Sequence, residues 1–143
     1  MKYAISEILE LANEAWGKKR KIAALHEHSG PQLKVILDYC YNPNIKWLVD
    51  PDMKYDPCDD NLNSLRTRLF TEAASLNRFV NIGPYPTLNQ KKRDLLFQTV
   101  LETIHPKDAE LLQFIVKNRA LPYNKLNKET IAEAFPILSQ NWG

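Results

Sequence analysis

Residues 5–16, Ile5-Ser6-Glu7-Ile8-Leu9-Glu10-Leu11-Ala12-Asn13-Glu14-Ala15-Trp16, set the reading of the whole chain. Their apolar members Ile5, Ile8, Leu9, Ala12, Ala15 and Trp16 recur at helical spacing, so Ser6 to about Trp16 reads as an amphipathic helix closed near Gly17. The same period returns downstream. A second helix begins in Lys18-Lys19-Arg20-Lys21, turns Ile22, Ala23 and Leu25 inward, and stops at Ser29-Gly30-Pro31. A third runs from Gln32 to Tyr41 with Leu33, Ile36, Leu37 and Cys40 on one stripe. Asn42-Pro43 ends it before an apolar turn around Ile45, Trp47 and Leu48.

Between Asp50 and Asn61, Asp50, Asp52, Asp56, Asp59 and Asp60 stand with two prolines, the composition of a solvated acidic loop. Helix resumes near Leu62, with Leu62, Leu65, Leu69, Ala73 and Leu76 in register, until Asn81-Ile82-Gly83-Pro84-Tyr85-Pro86 interrupts it. Asn89 fits the N-cap of a fifth helix through Lys91 to Ile104, with Leu95, Leu96, Leu101 and Ile104 as its apolar members. Pro106 suits the first turn of a sixth, which carries Ala109, Leu112, Ile115 and Val116 inward and loosens at Ala120-Leu121-Pro122. A last short helix starts at Asn127, has Leu126 and Ile131 placed as a hydrophobic staple, and ends at Pro136. No strand-like alternation persists. The expected fold is therefore all-α, a compact bundle of about six or seven helices forming a single domain over residues 1–143.

At 143 residues, 44% hydrophobic and 25% charged, the chain can bury a core without disulfides or metal. No apolar run approaches the roughly 18 residues needed to cross a bilayer. Glu7, Glu10 and Glu14 stand where a signal peptide needs an apolar stretch, so a cytoplasmic protein with no membrane partner is expected. The absence of a long heptad run points to a monomer. Cys40 lies in an apolar helical pattern and Cys58 in the acidic loop, with no C-x-x-C spacing, and both read as reduced thiols.

Little of this composition suits catalysis. His26 and His28, two positions apart on a helix, face different ways and cannot share a metal ion, and His105 before Pro106 reads as a helix-start residue. Asp50 and Asp52 have the first two spacings of a calcium loop. Lys54 then occupies the third ligand position, no glycine stands at position 55, and Asn61 replaces the closing glutamate. No histidine makes a recognisable motif with a cysteine or serine, and four glycines in all leave no phosphate-cradling loop. A non-catalytic protein with no cofactor and no metal is expected.

The functional content lies in basic clusters. Lys18, Lys19, Arg20 and Lys21, and again Lys91, Lys92 and Arg93, fall at or near helix N-termini, where the dipole also favours an anion. A third group, Lys117, Arg119, Lys125 and Lys128, brackets the loop before the last helix, where Tyr123 and Asn124 are placed to reach sugar or phosphate oxygens. The net charge of only +2, the acidic loop, and aromatic residues such as Trp47, Tyr55, Tyr85 and Trp142 in or near irregular segments give the alternative, a protein-interaction adaptor.

Two stretches carry a family resemblance: Gln32-Leu33-Lys34-Val35-Ile36-Leu37-Asp38-Tyr39 with Ile45-Lys46-Trp47-Leu48, and Asp108-Ala109-Glu110-Leu111-Leu112 through Lys117-Asn118-Arg119 to Ile131-Ala132-Glu133-Ala134-Phe135-Pro136. In pattern and spacing the chain resembles the N-terminal DNA-binding domain of the ATP-dependent DNA ligases of tailed phages. It also looks like a set of small proteins from large tailed phages, which would make it a free-standing relative of the ligase domain. The resemblance implies a helical domain lying on the minor groove of double-stranded DNA and gripping the backbone through Lys117, Arg119, Asn124, Lys125 and Lys128. It does not extend to ligation, because Lys54-Tyr55-Asp56-Pro57 has proline where the ligase Lys-x-Asp-Gly motif has glycine. Two functions follow as expectations: sequence-independent duplex DNA binding, or an adaptor acting on a phage or host replication or transcription protein in the host cytoplasm.

Overall fold

The first helix, α1 (Ile5–Glu14), buries Ile5, Ile8, Leu9 and Ala12, the stripe that its periodicity marks. Glu7 reaches back to accept from the Ala4 N–H at 3.0 Å, the half of a capping box that does not need a polar cap residue. The helix ends before Trp16. Gly17 then takes φ +84°, a left-handed turn open to glycine, and starts α2 (Lys18–Glu27). As a result Trp16 does not join the inward stripe and stands 84% exposed.

The computed structural model describes residues 3–57, 69, 73–83 and 87–142. Beyond α2 the described elements are α3 (Pro31–Tyr41), a 3-10 helix (Ala73–Phe79), α4 (Gln90–Thr103), α5 (Pro106–Asn118), α6 (Lys128–Ala134) and α7 (Pro136–Ser139). The fold is all-α, as the periodicity predicts, with seven α-helices and no strand among the described residues. The only extended pairing there is one bridge, Trp47 with Val80, in which the Leu48 N–H donates to the Phe79 carbonyl at 2.8 Å. Cys58, Tyr85 and the start of the helix expected from Leu62 lie outside the described residues. Within them, Leu69, Ala73 and Leu76 are buried as expected, but residues 73–79 wind as a 3-10 helix.

Capping follows the sequence closely. Asn89 caps α4 by accepting from the Lys91 and Lys92 amides, and Asn127 caps α6 through the Thr130 amide at 2.8 Å. Leu126 and Ile131 are both buried, as a staple requires. Pro136 closes α6 but also opens the four-residue α7, a helix that the sequence reading lacks.

Packing joins α1 to α2, α2 to α6, α4 to α5, and α3 to the 3-10 helix and α7. The core centre includes Leu9, Leu25, Leu33, Leu37, Phe79, Phe97, Leu101 and Leu112. Phe97 has Phe79 edge-on at a 5.0 Å centroid distance and Trp47 at 6.1 Å. Two expectations for helix faces fail. On α2, Ala23 is exposed and Ile22 only half-buried. On α4 the buried face is Arg93, Phe97, Val100 and Leu101, so Leu95 points out, 62% exposed.

One polar junction ties the first helix to the fifth. Asp108, in the first turn of α5, is fully buried, and its Oδ1 accepts from the Ser6 amide in the first turn of α1 at 2.9 Å. A carboxyl in the first turn of one helix thus caps the N-terminus of another. Its Oδ2 and the Ser6 hydroxyl have no hydrogen-bond partner. Burial pushes the Asp108 carboxyl up to about 6, outweighing the hydrogen bond from the Ser6 amide and the nearby His105, which pull it down. His105 caps α5, its Nδ1 accepting from the Lys107 amide at 3.2 Å.

Candidate nucleic-acid interface

The three basic clusters have different fates, fixed by what lies beside each helix end. At the start of α2, Lys21 turns back on α1, and its ammonium donates to the carbonyls of Asn13 at 2.6 Å and Ala15 at 2.7 Å. A cation on free C-terminal carbonyls is favourable on dipole grounds, so Lys21 is spent holding the α1–α2 corner. Lys18 pairs across to Glu133 of α6 at 2.7 Å with both side chains largely in water, an ion pair of small energetic weight. Lys19 and Arg20 are exposed and make no ion pair or side-chain hydrogen bond among the described residues.

Lys125 joins this corner from the far end of the sequence. Its amide donates to Asn13 Oδ1 at 2.8 Å, which sets the loop before α6 against the end of α1, while its side chain is exposed. Lys19, Arg20 and Lys125 therefore belong to one end of the bundle, and Trp16 lies in the chain between Asn13, which holds the Lys125 amide, and Lys19. That grouping is not visible in the sequence, where Lys125 stands more than a hundred positions from Lys19.

The other members of the expected site are not all available. Arg93 is a correction: it is only 5% exposed, and its Nε donates to the Arg78 carbonyl at 3.1 Å, so it braces α4 against the 3-10 helix and cannot reach a phosphate. Lys91 and Lys92 beside it remain exposed. Arg119 is a second correction. It is half-buried, with Nε donating to the Cys40 carbonyl at 3.2 Å and Nη2 to the Asn42 carbonyl at 2.7 Å, which satisfies the end of α3. It also takes the left-handed φ of 53° that closes α5, a position glycine usually fills.

Lys117 is exposed but pairs with Asp52 at 3.0 Å, so part of the acidic loop neutralises it. Lys128 lies 6.0 Å from the Tyr41 ring centroid and 3.5 Å from the Trp142 carbonyl. Asn124 is exposed. Tyr123, expected at the DNA, turns inward and donates to the Ser6 carbonyl at 3.3 Å; burial and the carboxylates of Glu10, Asp108 and Glu110 push its phenol upward.

Arg119 offers a direct check on this division of labour. Arg119→Ala should cost about 1–3 kcal/mol, because two charge-assisted bonds to carbonyls are lost while the left-handed backbone remains. A solvated phosphate-gripping arginine would change stability by no more than about 0.5 kcal/mol. Urea unfolding of the variant distinguishes the two, and an unchanged midpoint would return Arg119 to the surface.

Two of the aromatic anchors expected of an adaptor, Trp142 and Trp47, are also internal. Trp142 is buried with its indole N–H on Asp38 Oδ1 at 3.0 Å, and Trp47 donates to the Tyr39 carbonyl at 3.0 Å while packing on Phe97. The sequence signal for the exposed Trp16 was Gly17: a break placed at Glu14 and not after Trp16 would have put the ring on the corner. An apolar groove of 410 Å³ opens elsewhere, between α2, α3 and the α6–α7 turn, lined by His26, Lys34, Phe135, Ile137 and Leu138. Ile137 there is 80% exposed. His26 is fixed at its edge, its Nε2 lying 2.6 Å from the Ala134 carbonyl.

Among the described residues no group of three or more histidine, cysteine, aspartate or glutamate side chains converges, and no helix is long and apolar enough to cross a membrane. Within the described part of the acidic loop, Asp50 Oδ1 accepts from the Asp52 amide, the Asp50 amide donates to Asp94 Oδ1 of α4, and the Asp52 carboxylate pairs with Lys117.

No curated protein and no solved structure matches the chain. One family match spans most of the bundle, residues 8–123, from α1 into the loop after α5, and by that match the chain belongs to a family of unknown function (DUF6433).

Proposed function

We propose that the chain is a non-catalytic DNA-binding protein that holds the sugar–phosphate backbone at the α1–α2 corner without selecting sequence. The observation that carries this reading is that Lys19, Arg20 and Lys125 share one end of the bundle, each exposed and free of ion pairs among the described residues. Lys117 and Arg119, by contrast, are engaged by Asp52 and by carbonyls at the end of α3, and Lys91 and Lys92, though exposed, have no third cation brought to them from another part of the chain. The resemblance to the DNA-binding domain of tailed-phage ligases supports the same class of ligand. The two surfaces share Lys125 and then diverge, since Arg119 and Lys117 of the expected grip are engaged within the protein.

A salt titration of binding to one duplex tests this. If Lys19, Arg20 and Lys125 each neutralise a phosphate, the triple alanine variant should flatten the slope of log affinity against log salt by about 2 to 3 units. Sequence preference should stay flat, because phosphate contacts carry no base information. An unchanged slope, or no binding by the wild type at low salt, would sink the reading.

The groove around Phe135, Ile137 and Leu138 favours a second reading, the adaptor acting on a phage or host replication or transcription protein. A large aliphatic side chain left in water beside a concave apolar surface is what a docking partner would cover. Ile137→Asp should then abolish capture of that protein while leaving DNA affinity intact.

A further inference from the structure

We propose that Trp16 stacks on an unpaired nucleobase, so that the corner prefers DNA carrying a single-stranded gap or end over intact duplex. The inference rests on the DNA-binding reading above and names its substrate class. Trp16 is the most exposed large hydrophobic residue described, at 84%, and it makes no ring contact or hydrogen bond among the described residues. The other two tryptophans are held by hydrogen bonds and ring contacts inside the bundle. The left-handed Gly17 sends the chain away from α1 directly after Trp16, which leaves the ring outside the packing of both helices.

What surrounds it selects the occupant. Lys19 and Arg20 follow within one helical turn, and Lys125 is attached to α1 three residues before the ring. Lys18 is offset by Glu133 and Lys21 by helix carbonyls; the exposed Glu14 at the end of α1 stands against Lys19, Arg20 and Lys125, which leaves the balance of this corner positive. A flat aromatic face beside unpaired cations complements a base with phosphates on either side, the arrangement by which single-stranded nucleic acid is held without sequence selection. In an intact duplex each base already has its faces covered by neighbours. A gap or an end offers a free face.

The test uses the full chain with an intact duplex, the same duplex carrying a short gap, and vesicles of anionic lipid. Gapped DNA should bind about tenfold more tightly than intact duplex and quench Trp16 emission. Trp16→Leu, a surface change that keeps apolar area but removes the ring, should erase that preference and leave intact-duplex affinity alone. Lys19→Ala with Arg20→Ala should weaken both DNAs alike. Equal affinity for gapped and intact duplex, or an equal loss on both with Trp16→Leu, would overturn the stacking proposal while leaving backbone binding standing. Failure to bind any DNA would remove both. A blue shift of Trp16 emission with vesicles and none with gapped DNA would overturn it in favour of a membrane surface.

Discussion

Phe97→Ala should destabilise the protein by about 3–5 kcal/mol, a large part of the 5–15 kcal/mol that holds a typical domain together. The ring is 1% exposed and sits between Phe79 and Trp47, joining α4 to the 3-10 helix and to the turn after α3. Truncation removes apolar surface from the core and leaves a cavity whose walls belong to three different segments, so no single side chain can swing in to fill it. Phe97→Leu keeps most of the volume and should lose far less. Urea unfolding followed by helical circular dichroism measures both. A Phe97→Ala variant within about 1 kcal/mol of wild type would mean that these contacts do not form the centre of the core.

Asp108 should make the protein lose stability as pH rises from about 4 to 7. In the unfolded chain the carboxyl titrates near 3.8, whereas burial raises it to about 6 in the fold. Between those values the native state holds a proton that the unfolded state has released, so the proton favours folding and its loss disfavours it. The stabilisation is full below 3.8, falls through the window, and is gone above 6, a change of about 3 kcal/mol if the whole shift is realised. The dipole of α5 favours the carboxylate by only about 0.3–1 kcal/mol, too little to reverse the sign.

Asp108→Asn keeps the acceptor for the Ser6 amide and supplies a donor facing the region of the unpartnered Ser6 hydroxyl. The stability of wild type relative to this variant should therefore fall with pH and level off above about 7. Taking the difference cancels the other acids. A difference flat with pH would show that Asp108 titrates as it does in the unfolded chain. Asp108→Ala should be less stable than Asp108→Asn throughout, because it strands the Ser6 N–H.

The helical architecture was legible because amphipathic period and capping chemistry agree at most ends. Asn89, Pro106 and Asn127 each stand where a cap or first-turn residue belongs, and each does so in the fold. Trouble arose where one side chain has two physical characters. Arg93 was assigned to solvent for its charge, yet its position four before Phe97 puts it on the buried face, with its guanidinium on a carbonyl. Leu95, one of the apolar members of the same helix, lies on the opposite face in water. Trp16 continued the period of α1 by count, but the helix had already ended.

The candidate site was legible only in part. Composition identifies the basic runs, but not which cations the fold consumes. Whether Lys21, Arg119 and Lys117 face solvent depends on helix ends and acids brought from other parts of the chain. Lys125 could be assigned to the α1–α2 corner only once the Asn13 bond was known.

The bonds that close the bundle run between its first and last thirds: Ser6 to Asp108, Lys18 to Glu133, Asp38 to Trp142. During synthesis, α1, α2 and α3 leave the ribosome long before these partners exist. The apolar faces of α2 and α3 must wait for α6, α7 and Trp142 before they are covered. The nascent chain thus carries half-covered helices until α6 and α7 emerge, and closure of the bundle follows their emergence.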